Sequence, residues 1–121
     1  MFFDSLHFKA IESGIQALSI KQQIITQNLA NMETPNYKQQ HVEFRNVLED
    51  ASAAADGKNK RYDFQASVIT DRTTNINVDG NNVDTDQQSL ELYSTYLQHS
   101  ALVEKMNSHF SKLRTVLNSG L

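Results

Sequence analysis

Two stretches of the chain repeat apolar residues at alternating steps of three and four, the spacing that places side chains on one face of an α-helix. The first stretch starts near Phe8, after a possible N-cap at Asp4 or Ser5, and only Gln22 interrupts its apolar row. The apolar positions of this row after Phe8 are Ile11, Ile15, Leu18, Ile25, Leu29 and Met32. Such a heptad pattern predicts a helix that packs against another helix.

A proline ends the first helical pattern. Pro35 disfavours the α conformation at Thr34 and lacks a backbone N–H, so the helix is predicted to end near Asn31 or Met32. Asn31 suits a left-handed position at the C-terminus of a helix. Asn36 suits the turn conformation that follows the proline. The chain is therefore predicted to leave this helix through a defined turn.

The middle of the chain has no helical periodicity. Either a short helix or an extended segment fits Val42, Phe44, Val47 and Leu48, and residues 51–60 are small, polar and charged, as is typical of a loop. Apolar and polar residues then alternate, as in a half-buried strand, with the apolar positions at Tyr62, Phe64, Ala66 and Val68. Because Ile76 and Val78 repeat that alternation briefly, we expect a small hairpin or a pair of extended arms.

A second helical pattern covers about residues 86–118. Asp84 or Thr85 can cap its N-terminus, with a glutamine three residues later in either case to complete a capping box. Only His99 is polar within the seam of this helix, where we predict a hydrogen-bonded interface residue. The apolar seam positions are Leu92, Tyr96, Val103, Met106, Phe110, Leu113 and Leu117. Leu90, Tyr93 and Leu97 widen the stripe at its N-terminal end.

These patterns predict a mainly α fold in which two long terminal helices pair as a coiled-coil-like hairpin, with a partly extended, loop-rich middle segment. The predicted boundaries divide the chain into residues 1–37, 38–83 and 84–121. In a lone antiparallel pair of helices, burial of apolar surface gives little stabilisation beyond the entropy cost of ordering the residues. We therefore predict that the seams are also buried by other copies or other chains.

Composition and charge exclude several classes of function. The chain has 121 residues, of which 39% are hydrophobic, and a net charge of −3 with acidic and basic residues interspersed. Without a basic stripe, no nucleic-acid partner is expected. No stretch approaches the roughly 20 apolar residues that span a bilayer, and the N-terminus lacks the pattern of a cleavable signal peptide. Membrane insertion is therefore not expected.

No catalytic, cofactor or metal site is predicted. The four histidines are scattered, at spacings that put no two on one helical face as metal ligands. The acidic segment at residues 79–90 lacks the pattern of a calcium loop, because Val83, Asp84 and Leu90 stand where an oxygen ligand, a glycine and a glutamate are needed. No nucleophile and base can be paired from the sequence.

Two motifs carry a family resemblance. The first consists of Asn28, Leu29, Ala30 and Asn31, followed after two residues by Thr34, Pro35, Asn36 and Tyr37. It resembles the N-L-A-N and T-P-G-Y signature of bacterial flagellar rod, hook and hook-associated axial proteins, with Asn36 in place of the usual glycine. The second, Asp79-Gly80-Asn81-Asn82-Val83-Asp84, resembles the segment that precedes the C-terminal helix in proximal rod members of that family.

The resemblance implies a structural, non-enzymatic subunit of the flagellar basal-body rod, exported through the flagellar type III apparatus and assembled into a helical tube through its terminal helices. The partners it implies are copies of the chain, other rod subunits, and the export gate or its adaptor at the rod base. A second hypothesis is a cytosolic helical adaptor or export chaperone that binds partner helices with the same seams. The pair of motifs favours the rod.

Overall fold

The structure, a computed structural model, describes residues 6–46, 64–74 and 76–120. Within these ranges the elements in chain order are α1 (Leu6–Ala30), β1 (Gln40–Asn46), β2 (Phe64–Thr70) and α2 (Thr85–Ser119). The fold is mainly α, with a two-stranded antiparallel hairpin between two long helices. This architecture confirms the predicted fold class.

The two helices pack side by side in antiparallel directions. Contacts along their length fix the register: Asn28 with Gln88, Ser19 with His99, and Phe8 with Phe110. His99 Nε2 lies 3.3 Å from Ser19 Oγ, which confirms the prediction of a hydrogen-bonded interface residue. Gly14 permits the close approach, because a Cβ at this position would lie 3.0 Å from Leu102 Cδ1.

The exit from α1 differs in one detail from the prediction. Asn31 does not adopt a left-handed conformation; among the described non-glycine residues only Asn36 has a positive φ, at 61°. Two successive turns follow the helix instead, since Thr34 N–H donates to Asn31 O and Tyr37 N–H donates to Thr34 O. These bonds satisfy the carbonyls beyond the helix end, so no left-handed cap is required at Asn31.

The hairpin pairs β1 with β2 and contacts α1. Val42 pairs with Val68 and Phe44 with Ala66, so the extended alternative for this segment is the one that forms. The strand predicted around Ile76 and Val78 does not form, because a turn uses this backbone: Asn77 N–H donates to Asn81 O, and Gly80 N–H to Asn77 O. The predicted N-cap of α1 and the predicted loop at residues 51–60 lie outside the described residues, as do Val47, Leu48 and Tyr62.

Helix α2 begins at the predicted cap. The Asp84 carboxylate accepts bonds from the backbone N–H groups of Asp86 and Gln87, at 3.1 and 3.2 Å. Gln88, one of the two glutamines predicted to reach back to the cap, is buried and bonds elsewhere. Gly120 follows the last turn, and its N–H donates to Val116 O.

The predicted seam of α2 divides into two rows with seven-residue spacing. One row, Leu92, His99, Met106 and Leu113, is half-buried along the side of α2 that faces α1. The other row, which we call the outer row, consists of Tyr96, Val103, Phe110 and Leu117. The outer-row side chains are 59%, 36%, 42% and 63% exposed. A stripe of apolar surface therefore remains on α2 after the two helices have paired.

Candidate functional site

Four buried amide side chains join the end of α1 to the loops and to the start of α2. Asn28, Asn81 and Asn82 are fully buried, and Gln88 is 5% exposed. Burial of an amide is unfavourable unless its donors and acceptors are satisfied, so such side chains restrict the chain to arrangements that supply partners. We call these four residues the amide clasp.

Asn28 lies at the centre of the clasp. Its Oδ1 accepts hydrogen bonds from the Tyr37 hydroxyl at 3.1 Å and from Gln40 N–H at 2.9 Å. Its Nδ2 donates to Gln40 O at 2.6 Å and to Gln88 Oε1 at 2.8 Å. This side chain makes four bonds, with two at each end of its amide, and so links α1 to the turn, to β1 and to α2.

Tyr37 acts in the clasp as a donor, which requires its protonated form. Burial raises the pKa of the Tyr37 hydroxyl above its ordinary value of 10.0, because the charged phenolate would lose solvation. The bond from Tyr37 to Asn28 is therefore retained throughout the neutral range. Its contribution to stability is present below pH 10 and is lost as the pH rises through the raised pKa.

Asn81 forms hydrogen bonds that connect the turn after α1 to the segment before α2. Its Nδ2 donates to Asn31 O at 2.9 Å and to Thr34 O at 2.8 Å, and its Oδ1 accepts from Val83 N–H at 2.8 Å. Both motifs identified in the sequence thus meet in space at one side chain.

Asn82 likewise connects the loop that follows β2 to Gln39 through hydrogen bonds. Its Oδ1 accepts from Gln39 N–H at 2.6 Å, and its Nδ2 donates to Asp71 O and to Thr74 Oγ1, each at 3.0 Å. The Asp71 carboxylate in turn accepts from Thr73 N–H and from the hydroxyls of Thr73 and Thr74. The backbone bond from Thr73 and the two hydroxyl bonds lower the pKa of Asp71 to about 2, so the loop is held by an ionised acceptor.

Lys38 and Gly80 complete the contact between the two motifs. Lys38 Nζ donates to Gly80 O at 2.6 Å and to Thr74 O at 3.2 Å. Gly80 has a φ of 84°, and a Cβ built on it would lie 2.6 Å from Asn36 Oδ1. A side chain at position 80 would therefore clash with Asn36, so the two turns pack together because residue 80 is a glycine.

Most of the motif residues singled out in the sequence lie in or beside the clasp. Asn28, Asn31, Thr34, Tyr37, Gly80 and Asn81 are bonded to one another or to their neighbours here, and Val83 is buried beside them. Leu29 is half-buried, whereas Ala30 and Pro35 are exposed. The sequence reasoning missed the bonds of Gln40, Asn82 and Gln88, since it noted Asn82 only as part of the second motif and Gln88 only as a capping residue. These bonds depend on partners in other parts of the chain, and no local pattern indicates them.

Comparison with known proteins identifies the family. Residues 9–38 match the family model described as Flagella basal body rod protein. The chain is 36% identical over 118 residues to the flagellar basal body rod protein FlgB of Bacillus subtilis (strain 168), across 91% of this chain and 92% of that protein. The chain belongs to the FlgB family of rod proteins. FlgB of Borreliella burgdorferi is 27% identical across 85% of this chain, and FlgB of Aeromonas hydrophila is 28% identical across 84%.

Membership of the FlgB family confirms the predicted function: the chain is a structural subunit of the flagellar basal-body rod. A rod subunit belongs to the basal body and associates with other components of that assembly. The family is structural, which agrees with a site built from amide hydrogen bonds. The matched residues 9–38 contain Asn28, the centre of the clasp.

In the part of the chain that the structure describes, no helix combines the length and the apolar character needed to cross a membrane. Over the same residues, no three His, Cys, Asp or Glu side chains are placed to hold a metal ion.

The positions predicted as an assembly seam in this FlgB-family chain face two different environments. Ile11, Leu18 and Ile25 of α1 are buried, and Ile15 and Leu29 are half-buried. Shallow grooves of about 450 and 510 Å³ lie beside the outer row of α2. The first is lined by Gln22 and Thr26 of α1 as well as by Tyr93 and Tyr96. The second is lined by α2 residues that include Phe110 and Leu117. The seam of α1 is thus largely buried within the subunit, and α2 retains exposed apolar surface.

Proposed function

We propose that this FlgB-family subunit is built into the rod through α2, whose outer row is covered by a helix of a neighbouring rod subunit. The observation that carries the proposal is the exposure of Tyr96, Val103, Phe110 and Leu117 at seven-residue intervals along one helix. A contiguous exposed apolar stripe is uncommon on a monomeric soluble protein and marks a binding surface. A seven-residue repeat is the spacing that a partner helix covers in a coiled coil.

The two grooves support a single long partner. Their linings on α2 are related by a shift of 18 residues, from Ser89, Leu92, Tyr93 and Tyr96 to Asn107, Phe110, Ser111 and Arg114. With about 3.6 residues per turn, 18 residues make five turns, so the grooves face the same direction about 27 Å apart. One helix lying along α2 contacts both.

The amide clasp has a positioning role in this proposal. Sliding α1 along α2 by one turn breaks the bond between Asn28 and Gln88 and leaves buried amide groups unsatisfied, which costs about 1 to 3 kcal/mol for each group. The clasp therefore holds the helix pair in one register. A fixed register presents the outer row to neighbours in the same way in every subunit.

The proposed partners are copies of the chain, other rod subunits, and the export gate or its adaptor at the rod base. A contact between different surfaces of successive subunits extends into a helical assembly when it does not close into a ring. We also propose export through the flagellar type III apparatus, as the family resemblance implies. Nothing in the comparisons favours the alternative of a cytosolic adaptor or chaperone.

The test replaces outer-row side chains that make no aromatic contact with α1. Tyr96→Ser combined with Val103→Ser removes apolar surface, and exposed substitutions of this kind usually change stability by no more than about 0.5 kcal/mol. Cells carrying the double variant should make the protein but fail to swim. The protein should be missing from purified basal bodies.

The matched control is Ile76→Ser combined with Val78→Ser, which removes apolar side chains that are also exposed but lie in the loop before α2, outside the outer row. This control should swim normally. Circular dichroism of each purified variant checks that the helices form. A folded Tyr96→Ser/Val103→Ser protein that enters basal bodies in normal amounts contradicts the proposal.

A further inference from the structure

The edge of β1 that faces away from β2 directs backbone groups outward. In an antiparallel pair, successive residues point their N–H and C=O groups alternately toward the partner strand and away from it. Asp71 N–H donates to Gln39 O at 3.0 Å, so Gln39 points toward the side of β2. Val42 and Phe44, at odd spacings from Gln39, therefore point their backbone groups away from β2. Among the residues that the structure describes, none bonds to these outward groups of Val42 or Phe44.

The side-chain amide of Asn28 occupies the start of this edge. Asn28 Oδ1 accepts from Gln40 N–H at 2.9 Å, and Nδ2 donates to Gln40 O at 2.6 Å. These are the two bonds that a residue of a neighbouring antiparallel strand exchanges with its partner. Because Asn28 also bonds to Gln88, the edge faces the side of the hairpin on which α2 lies.

A cleft of about 430 Å³ lies on that side, between the hairpin and the two helices. Phe44 lines it from β1, Leu18 from α1 and Leu102 from α2. The volume lies within the range of protein ligand sites, and the lining is mainly apolar. Small residues of α1 leave space in it: Ala10, Gly14 and Ala17. We call this cleft the edge groove.

Basic residues line one end of the edge groove. Lys105, His109 and His7 are lining residues, and no aspartate or glutamate lines the groove in the described part of the chain. Both β1 and α2 run from Asn28 back toward the start of α1. The basic end therefore lies beyond Phe44, in the direction in which β1 runs.

We propose that the edge groove binds an extended peptide segment of a partner protein, which adds to β1 as an antiparallel strand. A strand edge of this kind beside an apolar cleft supplies both parts of such recognition, main-chain bonds for affinity and space for alternate side chains. The added strand exchanges backbone bonds with Val42 and with Phe44, as the Asn28 amide does with Gln40.

The position of the edge defines the chemistry of the segment. Directly opposed residues of neighbouring strands share a face of the sheet. The two residues opposite Val42 and Phe44 therefore point to the face of Phe44, toward the groove, and are apolar, whereas the residue between them points to the other face. The N-terminal part of an antiparallel strand lies beyond Phe44, so an acidic residue there meets Lys105.

The edge groove is separate from the surface assigned to rod assembly. Among the described residues, its lining includes no member of the outer row and none of the residues that line the two grooves beside that row. The inference therefore does not rest on the proposed function. The Tyr96→Ser/Val103→Ser protein should bind the segment as the parent does, so failure of either proposal is recognised separately.

A short capped peptide tests strand addition on the purified full-length chain. Its two valines, separated by one threonine, are placed opposite Val42 and Phe44, and a glutamate lies on their N-terminal side. NMR titration should shift the backbone amides of Val42 and Phe44 and slow their hydrogen exchange. N-methylation of both valines removes the donors to β1 and should weaken binding about 10-fold or more. N-methylation of the threonine, whose N–H points away from β1, is the matched control and should leave the affinity unchanged.

Proline substitutions test the same edge from the protein side. Val42 pairs with Val68, and each directs its N–H outward, toward opposite edges of the hairpin. Val42→Pro removes a donor at the edge groove without removing a bond between β1 and β2, and should weaken peptide binding about 10-fold. Val68→Pro removes the equivalent donor from the far edge and should bind the peptide as the parent does.

Charge exchange tests the basic end of the edge groove. Lys105→Glu should weaken binding of the glutamate peptide and strengthen binding of a peptide with lysine in that place. Lys9→Glu makes the same change of net charge at a residue that does not line the groove, and should leave the preference for the glutamate peptide intact.

Four results overturn the inference: no shift of either amide at about 1 mM peptide, equal weakening by the two patterns of N-methylation, equal binding by the two proline variants, or an unchanged charge preference in Lys105→Glu. Backbone chemical shifts of β1 and β2 establish that the hairpin forms in each protein. The N-methylated peptides need only the parent chain, so the inference stays testable if a proline variant does not fold.

Discussion

At the scale of single residues, the contact between Asn36 and Gly80 shows how the two sequence motifs depend on each other. Both residues have a positive φ, of 61° and 84°. Asparagine tolerates that conformation better than other residues with a side chain, so Asn36 forms the turn that a glycine forms in the family signature. The Asn36 amide, however, occupies the space that a Cβ at position 80 would need.

The first prediction from this contact concerns Gly80→Ala. It should lower the free energy of unfolding by about 1 to 3 kcal/mol, because it adds strain at a positive φ and a clash at 2.6 Å with Asn36 Oδ1. Asn36→Gly should change stability by less than about 1 kcal/mol, since relief of strain opposes the added entropy of the unfolded chain. In the Asn36→Gly background, Gly80→Ala should be less harmful because only the φ strain remains.

Urea unfolding of the parent, the two single variants and the double variant measures this coupling. We expect the double variant to be more stable than the sum of the single effects by about 1 kcal/mol. Strict additivity would show that the Asn36 side chain is not what excludes a Cβ at position 80.

At the scale of elements, the sequence predicted the features whose causes are local. Pro35 and the cap at Asp84 place the end of α1 and the start of α2 within about two residues, because each acts on its own backbone neighbours. The pairing of Val42 with Val68 was not predictable, since 25 residues separate the partners and either conformation suited Val42. Amide partners such as Asn28 and Gln88 have no periodic signal for the same reason.

The heptad pattern predicted the spacing of the apolar residues of α2 correctly, but it could not predict which side of the helix faces α1. Leu92, Tyr96, Val103 and Phe110 fit one seam by spacing, although only some of these positions face α1. The buried contacts on that side include Thr95, and Leu102 also faces α1 at Gly14. Hydrophobicity alone therefore does not predict which side of α2 faces α1, because a polar threonine is buried on that side and apolar residues lie in the exposed row.

The close approach of the helices at Gly14 yields a prediction at this scale. Gly14→Ala should raise the free energy of unfolding, because alanine is favoured over glycine by about 1 kcal/mol within a helix. The added Cβ would lie 3.0 Å from Leu102 Cδ1, the end of a flexible side chain beside an open groove of about 430 Å³. Leu102 has room to move, so the net gain should be smaller than the full helix preference.

Thermal unfolding checks the sign of the change, and Leu102→Ala supplies the comparison. In the Leu102→Ala background the contact is gone, so Gly14→Ala should show the whole gain of about 1 kcal/mol. A destabilising Gly14→Ala in the parent would mean that Leu102 is held rigidly and that the helices cannot separate by a few tenths of an ångström. Gly14→Val, with its larger β-branched side chain, should be destabilising in either case.

At the scale of the whole molecule, the buried groups are distributed unevenly along the helix pair. In α2 the buried residues are Gln88 and Thr95, both within its first three turns. The amide clasp and Val83 lie at that same end. From position 100 to Ser119, described side chains of α2 are half-buried or exposed. We therefore expect the subunit to be most stable at the clasp and least stable at the far end of α2.

Hydrogen exchange measures that gradient, because amides in locally unstable segments open and exchange sooner than those in the stable core. In the isolated chain, backbone amides from Gln88 to His99 should exchange slowly, and those from Ser111 to Ser119 should exchange fast. In assembled rods the second group should become protected as the outer row is covered. Asn28→Asp, which replaces the donors to Gln40 O and Gln88 Oε1 with an acceptor, should raise exchange at the first group in the isolated chain. Uniform slow exchange along α2 of the isolated parent would instead mean that one subunit holds the whole helix by itself, and a neighbour would then not be needed to stabilise the far end.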